Sequence, residues 1–254
     1  MGRLTDRIAV ITGGNSGIGY ATAKQFISEG AKVIITGRNQ QAVDTAVKEL
    51  GEHATGFVAD AANVKETEAL AEKVRNLYGK VDILFVNAGV FFAEPVGSLT
   101  EDSYNRIMDV NFKGAIFTTE KFIPLLANGA SVIHLSSVSA FAVGAGTAVY
   151  AASKAALNAY SRTAAIELAG KKIRVNSILP SMVDTALSAK AGFPESAIAE
   201  MDVFMKQKMP FKRYAQPDEV AKLAVFLASD DASFISGTEY VIDGAVTVNE
   251  PFRG

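Results

Sequence analysis

The segment Tyr150-Ala-Ala-Ser-Lys154 places a phenol and an ammonium group four residues apart. Residues i and i+4 of a helix share one face, so both polar groups could reach the same small volume. An ammonium close to a phenol favours the phenolate and would lower the pKa of the tyrosine. Such a pair could exchange a proton with an alcohol or ketone oxygen. An amphipathic helix with a packed tyrosine and an outward lysine explains the same residues, so other parts of the chain have to decide.

The composition of the 254-residue chain excludes several kinds of site. Hydrophobic residues make up 49% and charged residues 20%, which is typical of a protein with a substantial core. The chain has no cysteine, which excludes disulfides, thiolate catalysis and cysteine-based zinc sites. His53 and His134 are too distant in sequence for a short metal motif, and we interpret both as structural. We therefore expect no metal site.

Charge and hydropathy also limit the partners that we expect. The net charge of −2 provides no basic surface for nucleic acid. No run of about 18 or more apolar residues occurs, and the first residues, "MGRLTDR", have no signal-peptide core. We expect no nucleic-acid partner, no membrane partner and a cytoplasmic location.

Short β-rich runs alternate with longer helix-like segments along the whole chain. Most of the runs are continuously apolar, which indicates strands covered on both faces, as in a parallel sheet between two helical layers. No linker, change in composition or repeat divides the chain, so one α/β domain over residues 1–254 is the simplest interpretation. The predicted strands are residues 7–13, 32–38, 54–60, 82–89, 131–137, 173–180 and 238–244.

The segment from Asp184 to Phe211 separates the sixth predicted strand from the next helix. A connection of that length in a compact domain is usually functional. Ile198, Met201 and Met205 fall on one helical stripe, with Phe204 beside it. Core packing and a lid over a substrate explain these residues equally well.

The first strand leads into "TGGNSGIG", residues 12–19, and then into a helix. A glycine-rich turn at that junction lets the backbone approach a pyrophosphate at the helix N-terminus. The spacing of the glycines is looser than the common dinucleotide fingerprint, and a tight turn without a ligand is the alternative. The candidate contacts are Gly13, Asn15, Ser16, Gly17, Ile18 and Gly19.

The second strand ends in Gly37-Arg38, where NAD-binding proteins usually carry an acidic residue for the ribose 2′-hydroxyl. Arg38 could bind a 2′-phosphate with its guanidinium fork, whereas a carboxylate would repel it. The sequence therefore favours NADP(H). NAD(H) stays possible, because Asn15 and Ser16 supply no second cation and Arg38 could be a plain surface residue.

Five separated elements occur in a characteristic order: "TGGNSGIG", "NAG" at 87–89, "VN" at 110–111, Ser137, and "YAASK" with its tyrosine 13 residues after Ser137. This set resembles the short-chain dehydrogenase/reductase family, in particular its ketoreductases, over essentially the whole chain. The resemblance implies a single-domain, Rossmann-like, doubly wound parallel sheet of about seven strands with helices on both faces. It also implies a nucleotide-binding half of about residues 1–130 and a catalytic half of about 131–254, with a lid at about 184–211.

The resemblance also implies a catalytic tetrad of Asn111, Ser137, Tyr150 and Lys154. Ser137 would hydrogen-bond the substrate oxygen, and Tyr150 would donate a proton to it during ketone reduction. Lys154 would lower the pKa of the phenol and hold the nicotinamide ribose. Asn111 would anchor a water molecule that links Lys154 to solvent. Ser136 competes for the role of Ser137, but the spacing to Tyr150 favours Ser137.

Further cofactor contacts follow from the same resemblance. The adenine would meet Asp60, Ala61 and Val110, and the adenosine ribose would pass Asn87, Ala88 and Gly89. Tyr150 and Lys154 would contact the nicotinamide ribose, and the nicotinamide would lie against Pro180, Val183 and Thr185.

Two positions depart from the family pattern. Ser181 replaces a glycine after the sixth strand, which leaves the local backbone geometry open. Val86 stands where relatives commonly carry an asparagine, and we expect this change to affect packing and not chemistry.

The segments expected to surround the substrate are largely apolar. Glu94 is the polar exception, although it could simply face solvent. We therefore expect a neutral, largely apolar ketone or keto ester, or the corresponding alcohol. The apolar residues are Phe91, Phe92, Ala140, Val143, Phe193, Met201, Phe204 and Met205.

Three other functions remain open. A 3-oxoacyl-carrier-protein reductase would need basic residues near the pocket mouth, and the segment before the fifth strand has none after Lys121. A sugar dehydrogenase would need more hydrogen-bonding groups in its pocket. A nucleotide-sensing binding protein without turnover would be expected to lack part of the tetrad.

The resemblance finally implies a homotetramer. Its interfaces would be built from the helices that contain residues 110–122 and 150–168, together with the carboxy-terminal region. The small residues of the second helix permit close helix packing, which packing inside a monomer would also explain.

Overall fold

The computed structural model describes residues 2–185 and 195–249, and of residues 195–201 it describes the backbone alone. Seven parallel strands form one sheet in the order β3-β2-β1-β4-β5-β6-β7. All seven strand positions predicted from the sequence are confirmed. The strands are β1 Ile8–Ile11, β2 Lys32–Gly37, β3 Ala54–Val58, β4 Val81–Val86, β5 Leu126–Leu135, β6 Arg174–Pro180 and β7 Glu239–Ile242.

Eight α-helices lie between these strands in the described part of the chain. Asn39, Asn63 and Thr100 accept backbone hydrogen bonds at the starts of the second, third and fourth helices, as short polar side chains at such positions commonly do. The helices are α1 Gly17–Ser28, α2 Gln40–Leu50, α3 Val64–Tyr78, α4 Glu101–Met108, α5 Ala115–Phe122, α6 Ala148–Glu167, α7 Glu195–Lys208 and α8 Pro217–Ala228.

The sheet is covered on both faces, so the predicted doubly wound architecture is confirmed. Ile8 and Val10 of β1 belong to the core shared with α3, α5 and α6. Ala9 and Ile11 of the same strand belong to the core shared with α1, α2 and α8. Successive side chains of a strand point to opposite faces, which is why this strand contributes to both cores.

The strand order reverses between β1 and β4, because the chain first adds β2 and β3 on one side of β1 and then returns to the other. In open parallel sheets, ligands bind outside the carboxyl ends of the strands at such a reversal. The segment "TGG" follows β1, "NAG" follows β4, and Ser137 follows β5. The motifs singled out in the sequence therefore share one edge of the sheet.

A wider, π-type turn over Asp109–Gly114 joins α4 to α5 and carries Val110 and Asn111. Such turns occur often at functional sites, because they change the direction of side chains within a helix. A Cβ atom on Gly114 would lie 2.5 Å from the carbonyl oxygen of Ala61. Glycine at this position thus lets the turn approach the loop after β3.

Candidate active site

The glycine-rich turn after β1 needs its glycines for two different reasons. Gly13 and Gly17 have φ angles of +63° and +54°, in the left-handed region that favours glycine. A Cβ atom on Gly19 would lie 2.4 Å from the carbonyl oxygen of Gly13. The Ser16 side chain does not cap α1, and the first turn of this helix has no acidic residue. Its first amide groups can therefore bind an anion such as a phosphate.

A threonine under this turn was missed by the sequence analysis. The buried Thr12 accepts hydrogen bonds on Oγ1 from the amides of Asn87 and Ala88, at 3.0 and 3.1 Å. The Asn87 side chain donates back to the carbonyls of Thr12 and Gly13, at 2.9 and 3.1 Å. Asn87 thus fixes the turn to the end of β4. A threonine directly before paired glycines was the available signal.

Gly14 was missed as well. A Cβ atom there would lie 2.7 Å from Cγ2 of Ile35, and the Gly14 amide donates to the carbonyl of Thr36. Gly14 therefore allows the turn to lie directly against β2.

The end of β2 meets the same turn. A Cβ atom on Gly37 would lie 2.5 Å from Oδ1 of Asn15. Arg38 is exposed and makes no hydrogen bond or ion pair with any residue that the structure describes. Next to the turn is an open cleft of about 620 Å³. Its lining residues are Asn15, Ser16, Tyr20, Asn39, Gln41, Ala42, Thr45, Ala46 and Glu49.

Asp60 and Ala61 follow β3 and lie close to the π-type turn. Oδ1 of Asp60 accepts the amide of Ala62 at 3.0 Å, and the Asp60 amide donates to Glu66 at 2.8 Å. These bonds fix the loop in front of α3. Val110 is half-buried on the π-type turn that packs against Ala61.

Ser137 and Tyr150 are brought together. Ser137 is buried two residues after the end of β5, and its hydroxyl is close enough to that of Tyr150 to lower the pKa of the tyrosine. The neighbouring Ser136 instead donates to the carbonyl of Lys154 at 3.4 Å. The ring of Phe91 meets the Tyr150 ring edge-on, with 5.1 Å between centroids. The geometry thus places Ser137 beside the tyrosine and leaves Ser136 to bind the backbone of α6.

Lys154 and Asn111 both lie close to Gly89. A Cβ atom on Gly89 would be 3.4 Å from Oδ1 of Asn111 and 3.6 Å from Nζ of Lys154. Oδ1 of Asn111 accepts the amide of Val90 at 2.8 Å, and its Nδ2 donates to the Val90 carbonyl at 2.9 Å. Lys154 donates to the carbonyl of Leu135 at 2.8 Å. Asn111 therefore fixes the loop after β4 beside the lysine.

The segment after β6 reaches back to the glycine-rich turn. Pro180 is buried at the end of β6, and Val183 pairs with Ala215 in an isolated bridge. Cγ2 of Thr185 lies 3.3 Å from the position of a Cβ atom on Gly17. Ser181 donates its hydroxyl to the carbonyl of Asp243 and does not adopt a positive φ, so the loss of the family glycine causes no backbone strain here.

A family model described as enoyl-(acyl carrier protein) reductase matches residues 13–247. The oxidoreductase asL5 of Sarocladium schorii is 39% identical over 96% of this chain and 97% of its own length. The 3-oxoacyl-(acyl-carrier-protein) reductase FabG of Thermotoga maritima is 34% identical over 97% of this chain and 100% of its own. The crystal structure of a short-chain dehydrogenase/reductase, glucose/ribitol dehydrogenase, from Brucella melitensis superposes with a TM-score of 0.90 at 27% identity. It covers 97% of this chain and 99% of its own.

The chain belongs to the short-chain dehydrogenase/reductase family. It is an NAD(P)-dependent oxidoreductase. No helix within residues 2–185 and 195–249 is long and apolar enough to cross a membrane. The same ranges contain no cluster of three or more His, Asp or Glu residues that could hold a metal ion.

The pKa of Tyr150 in this dehydrogenase/reductase differs from the value expected from the sequence. Burial raises the pKa of Tyr150, and the hydrogen bond from Ser137 opposes that rise. Burial also lowers the pKa of Lys154, to about 8. The net shift of the Tyr150 pKa is therefore opposite in direction to the one expected from Lys154. The reason is that burial disfavours the charged form of both groups, and Nζ of Lys154 lies 5.8 Å from the centre of the tyrosine ring.

His134 lies on β5 near Lys154 and is completely buried. Its Nε2 is 2.9 Å from Oγ1 of Thr119 on α5, and its Nδ1 is 2.7 Å from Oγ of Ser161 on α6. Burial, with the nearby Lys154 adding to the effect, lowers the pKa of His134 to about 3. The neutral imidazole thus links β5 to both α5 and α6, which agrees with its interpretation as a structural residue.

The expected substrate wall is only partly described. Phe141, Val143 and Phe204 are exposed, and Arg106 lies 3.9 Å from the centre of the Phe92 ring. Part of the expected lid is helix α7. Phe193 and the side chains of Ile198 and Met201 lie outside the described residues. Glu94 does not simply face solvent, because its Oε2 atom is buried.

Proposed function

We propose that this oxidoreductase reduces a neutral, largely apolar ketone or keto ester with NADPH, and that Asn111, Ser137, Tyr150 and Lys154 are its catalytic residues. The observation that carries this proposal is the convergence of Ser137, Tyr150, the buried Lys154 and Asn111 at the carboxyl edge of the sheet. The same residues would oxidise the corresponding alcohol in reverse.

The residues at this edge fit a dinucleotide. The positive φ angles at Gly13 and Gly17 and the uncapped start of α1 provide a cradle for a pyrophosphate, which a side chain at those glycines would disturb. When bound, the reduced nicotinamide supplies the hydride that reaches the carbonyl carbon. We assign the pyrophosphate to residues 13 and 15–19, the adenosine to Asp60, Ala61, Asn87, Ala88, Gly89 and Val110, and the nicotinamide riboside to Tyr150, Lys154, Pro180, Val183 and Thr185.

Tyr150 donates the proton of its hydroxyl to the carbonyl oxygen of the substrate, and Ser137 holds that oxygen with a hydrogen bond. The raised pKa of Tyr150 supports the reducing direction, because the phenol keeps its proton at neutral pH. Lys154 donates to ribose hydroxyls and replaces the tyrosine proton through a water molecule anchored near Asn111. The contact of both residues with Gly89 supports this shared role.

Arg38 favours NADPH over NADH in this proposal. The guanidinium is exposed, lies next to the contact between Gly37 and Asn15, and has no carboxylate partner among the described residues. It is therefore available for a 2′-phosphate. The acidic residue that would select NAD(H) at this position is absent from the sequence.

Two alternatives within the family differ in substrate. The similarity to the Thermotoga maritima protein favours a 3-oxoacyl-carrier-protein reductase. The lack of basic residues between Lys121 and the fifth strand argues against it. The similarity to the Brucella melitensis glucose/ribitol dehydrogenase favours a sugar dehydrogenase, against the apolar wall. The complete tetrad argues against a binding protein without turnover.

We also propose a single domain with nucleotide-binding and catalytic halves, a homotetramer and a cytoplasmic location.

The test is nicotinamide absorbance during turnover of a ketone panel, with NADPH and NADH in parallel. The panel includes simple aliphatic and aromatic ketones, keto esters, a 3-oxoacyl thioester and open-chain keto sugars. We expect oxidation of NADPH with the apolar ketones. Turnover of the thioester or the sugars alone would favour the corresponding alternative, and cofactor binding without any turnover would favour the binding protein.

A further inference from the structure

Phe91 lies in the loop after β4, and its ring meets the ring of Tyr150 edge-on. The ring centres are 5.1 Å apart, and the ring planes form an angle of 86°. Two aromatic rings prefer such a T-shaped arrangement, because the positive edge of one ring meets the negative face of the other. Phe91 thus contacts the side chain of the proposed proton donor directly.

The loop is fixed on both sides of Phe91. On one side, the side chain of Asn111 hydrogen-bonds the amide and the carbonyl of Val90, at 2.8 and 2.9 Å. On the other side, the amide of Glu94 donates to the carbonyl of Gly146 at 2.9 Å. Gly146 lies two residues before α6 and has a φ angle of +76°, in the left-handed region that favours glycine. The backbone that carries Phe91 is therefore held between the π-type turn and the start of α6.

The other contacts of Tyr150 at this site come from polar groups. The hydroxyl of Ser137 is close to that of Tyr150, and Nζ of Lys154 lies 5.8 Å from the centre of the tyrosine ring. Phe91 adds an apolar surface against the same ring. Tyr150 is half-buried, and loss of hydration raises its pKa. A ring that covers part of the phenol makes the phenol harder to ionise, because water can no longer stabilise the phenolate there.

We propose that Phe91 is a positioning residue for proton transfer, whose ring fixes the orientation of the Tyr150 ring and excludes water from the phenol. This inference rests on the proposed function and extends it to a residue outside the tetrad. Orientation matters because a proton donor has to lie within hydrogen-bond reach of the atom that it protonates. Phe91 itself transfers no proton and acts through Tyr150.

The first test is the rate of NADPH oxidation in a single turnover, with saturating amounts of the best ketone of the panel. Release of products does not limit this rate. Phe91→Leu, which removes the ring, should slow the step about threefold to tenfold. Phe91→Tyr keeps an aromatic ring and should restore most of the wild-type rate. A change in the KM for the ketone alone would mean that Phe91 only contacts the substrate, and would overturn the inference.

Phe57→Leu is the matched control, because Phe57 is half-buried on β3 and its ring lies 5.5 Å from Nζ of Lys73. This variant also removes a partly buried ring, but away from Tyr150. It should keep the wild-type single-turnover rate.

The second test is the pH dependence of alcohol oxidation, in which Tyr150 has to accept a proton. The rate rises as the phenol ionises. In Phe91→Leu this rise should move to lower pH, because water reaches the phenol and stabilises the phenolate. Phe91→Tyr and Phe57→Leu should keep the wild-type profile. Either an unchanged single-turnover rate or an unmoved pH profile in Phe91→Leu overturns the inference.

A third measurement is independent of turnover. Lys154, with a pKa of about 8, also contributes to the pH profile of the rate, so the ionisation of Tyr150 is measured separately. The measurement is tyrosinate absorbance during alkaline titration, taken as the difference between a protein and the same protein with Tyr150→Phe. The Tyr150 signal should appear at lower pH in Phe91→Leu than in wild type. If the wild type reduces no ketone, the proposed function fails, and coincident titration curves would still overturn the role of Phe91.

Discussion

Lys154 is buried and Tyr150 is half-buried, and loss of hydration shifts the pKa of each towards its neutral form. The raised pKa keeps the phenol protonated, as a proton donor to a ketone must be. The pKa of Lys154, at about 8, leaves the ammonium mostly charged at neutral pH. In the proposed reduction the pair would thus act near neutral pH, and it should lose the charge of Lys154 in moderately alkaline solution.

The buried ammonium of Lys154 should affect the pH dependence of stability. In the unfolded chain lysine has a pKa of about 10.4, so between pH 8 and that value the unfolded state binds more protons than the folded state. The free energy of unfolding should therefore rise across this window, by up to roughly 3 kcal/mol. Urea unfolding of wild type and Lys154→Met at several pH values measures the difference. Parallel curves for the two proteins would contradict the lowered pKa of Lys154.

Arg38→Asp should reverse the cofactor preference. We expect kcat/KM with NADPH to fall about tenfold to a hundredfold, because a charge-assisted hydrogen bond is lost and a carboxylate repels the 2′-phosphate. Turnover with NADH should hold or improve. Lys48→Asp, an equal charge change at an exposed position of α2, is the control. An unchanged ratio of NADPH to NADH activity in Arg38→Asp would refute the role of Arg38.

At the scale of the elements, β5 and α6 determine where the tyrosine and the lysine lie. Lys154 bonds the carbonyl of Leu135, Ser136 bonds the carbonyl of Lys154, and His134 contacts Ser161 two turns further along α6. The hydroxyls of Ser161 and Thr119 also lie 2.7 and 3.1 Å from the carbonyls of Leu157 and Ala115, and since the neutral imidazole has one N–H, at least one of the two hydroxyls donates to His134 instead. These bonds fix the helix to the strand on the side of the sheet opposite α1 and α8.

The free energy of unfolding should decrease in mild acid because of His134, and His134→Leu should abolish that decrease. Histidine has a pKa of about 6.5 when unfolded, whereas the buried His134 has a pKa of about 3, so the unfolded state binds more protons between these values. The free energy of unfolding of the wild-type protein should therefore fall by about 2 kcal/mol between pH 6.5 and pH 5. The measurement is urea unfolding of both proteins across that range. An equal loss in the variant would exclude His134 as its source.

At the scale of the whole molecule, apolar side chains are exposed on the helices proposed to form the tetramer. Ile166 on α6 is 78% exposed, and Phe117 on α5 is 38% exposed. Val241 on the edge strand β7 is exposed as well. Burial of these residues between subunits would remove apolar area from water.

Ile166→Glu should reduce the assembly to a smaller oligomer, because a charge would be buried in the proposed interface. Light scattering after size-exclusion chromatography gives the mass of the assembly. Leu77→Glu is the control, since Leu77 is 61% exposed on α3, outside the proposed interfaces. A mass that stays at four chains in Ile166→Glu would argue against an interface through α6, and a wild-type mass of one chain would refute the tetramer.

The alternation of apolar runs and amphipathic segments was enough to predict the sheet and its two helical layers, because the central strands are buried on both faces. The start of β5 was missed, since "LANGA" has little β propensity and Leu126 joins the sheet by pairing with Val81. The π-type turn that carries Asn111 has no sequence signal of its own. The pKa of Tyr150 depends on burial, and the contact of Phe91 with its ring depends on the path of the loop after β4, so neither follows from spacing.

The central claim is that Tyr150 protonates the substrate, and Tyr150→Phe tests it most directly. The measurement is the steady-state rate of NADPH oxidation with the best ketone of the panel, together with NADPH binding followed by fluorescence. We expect kcat to fall about a hundredfold to ten-thousandfold while NADPH still binds, because the ring stays and the proton donor is lost. Full turnover by Tyr150→Phe would contradict the mechanism.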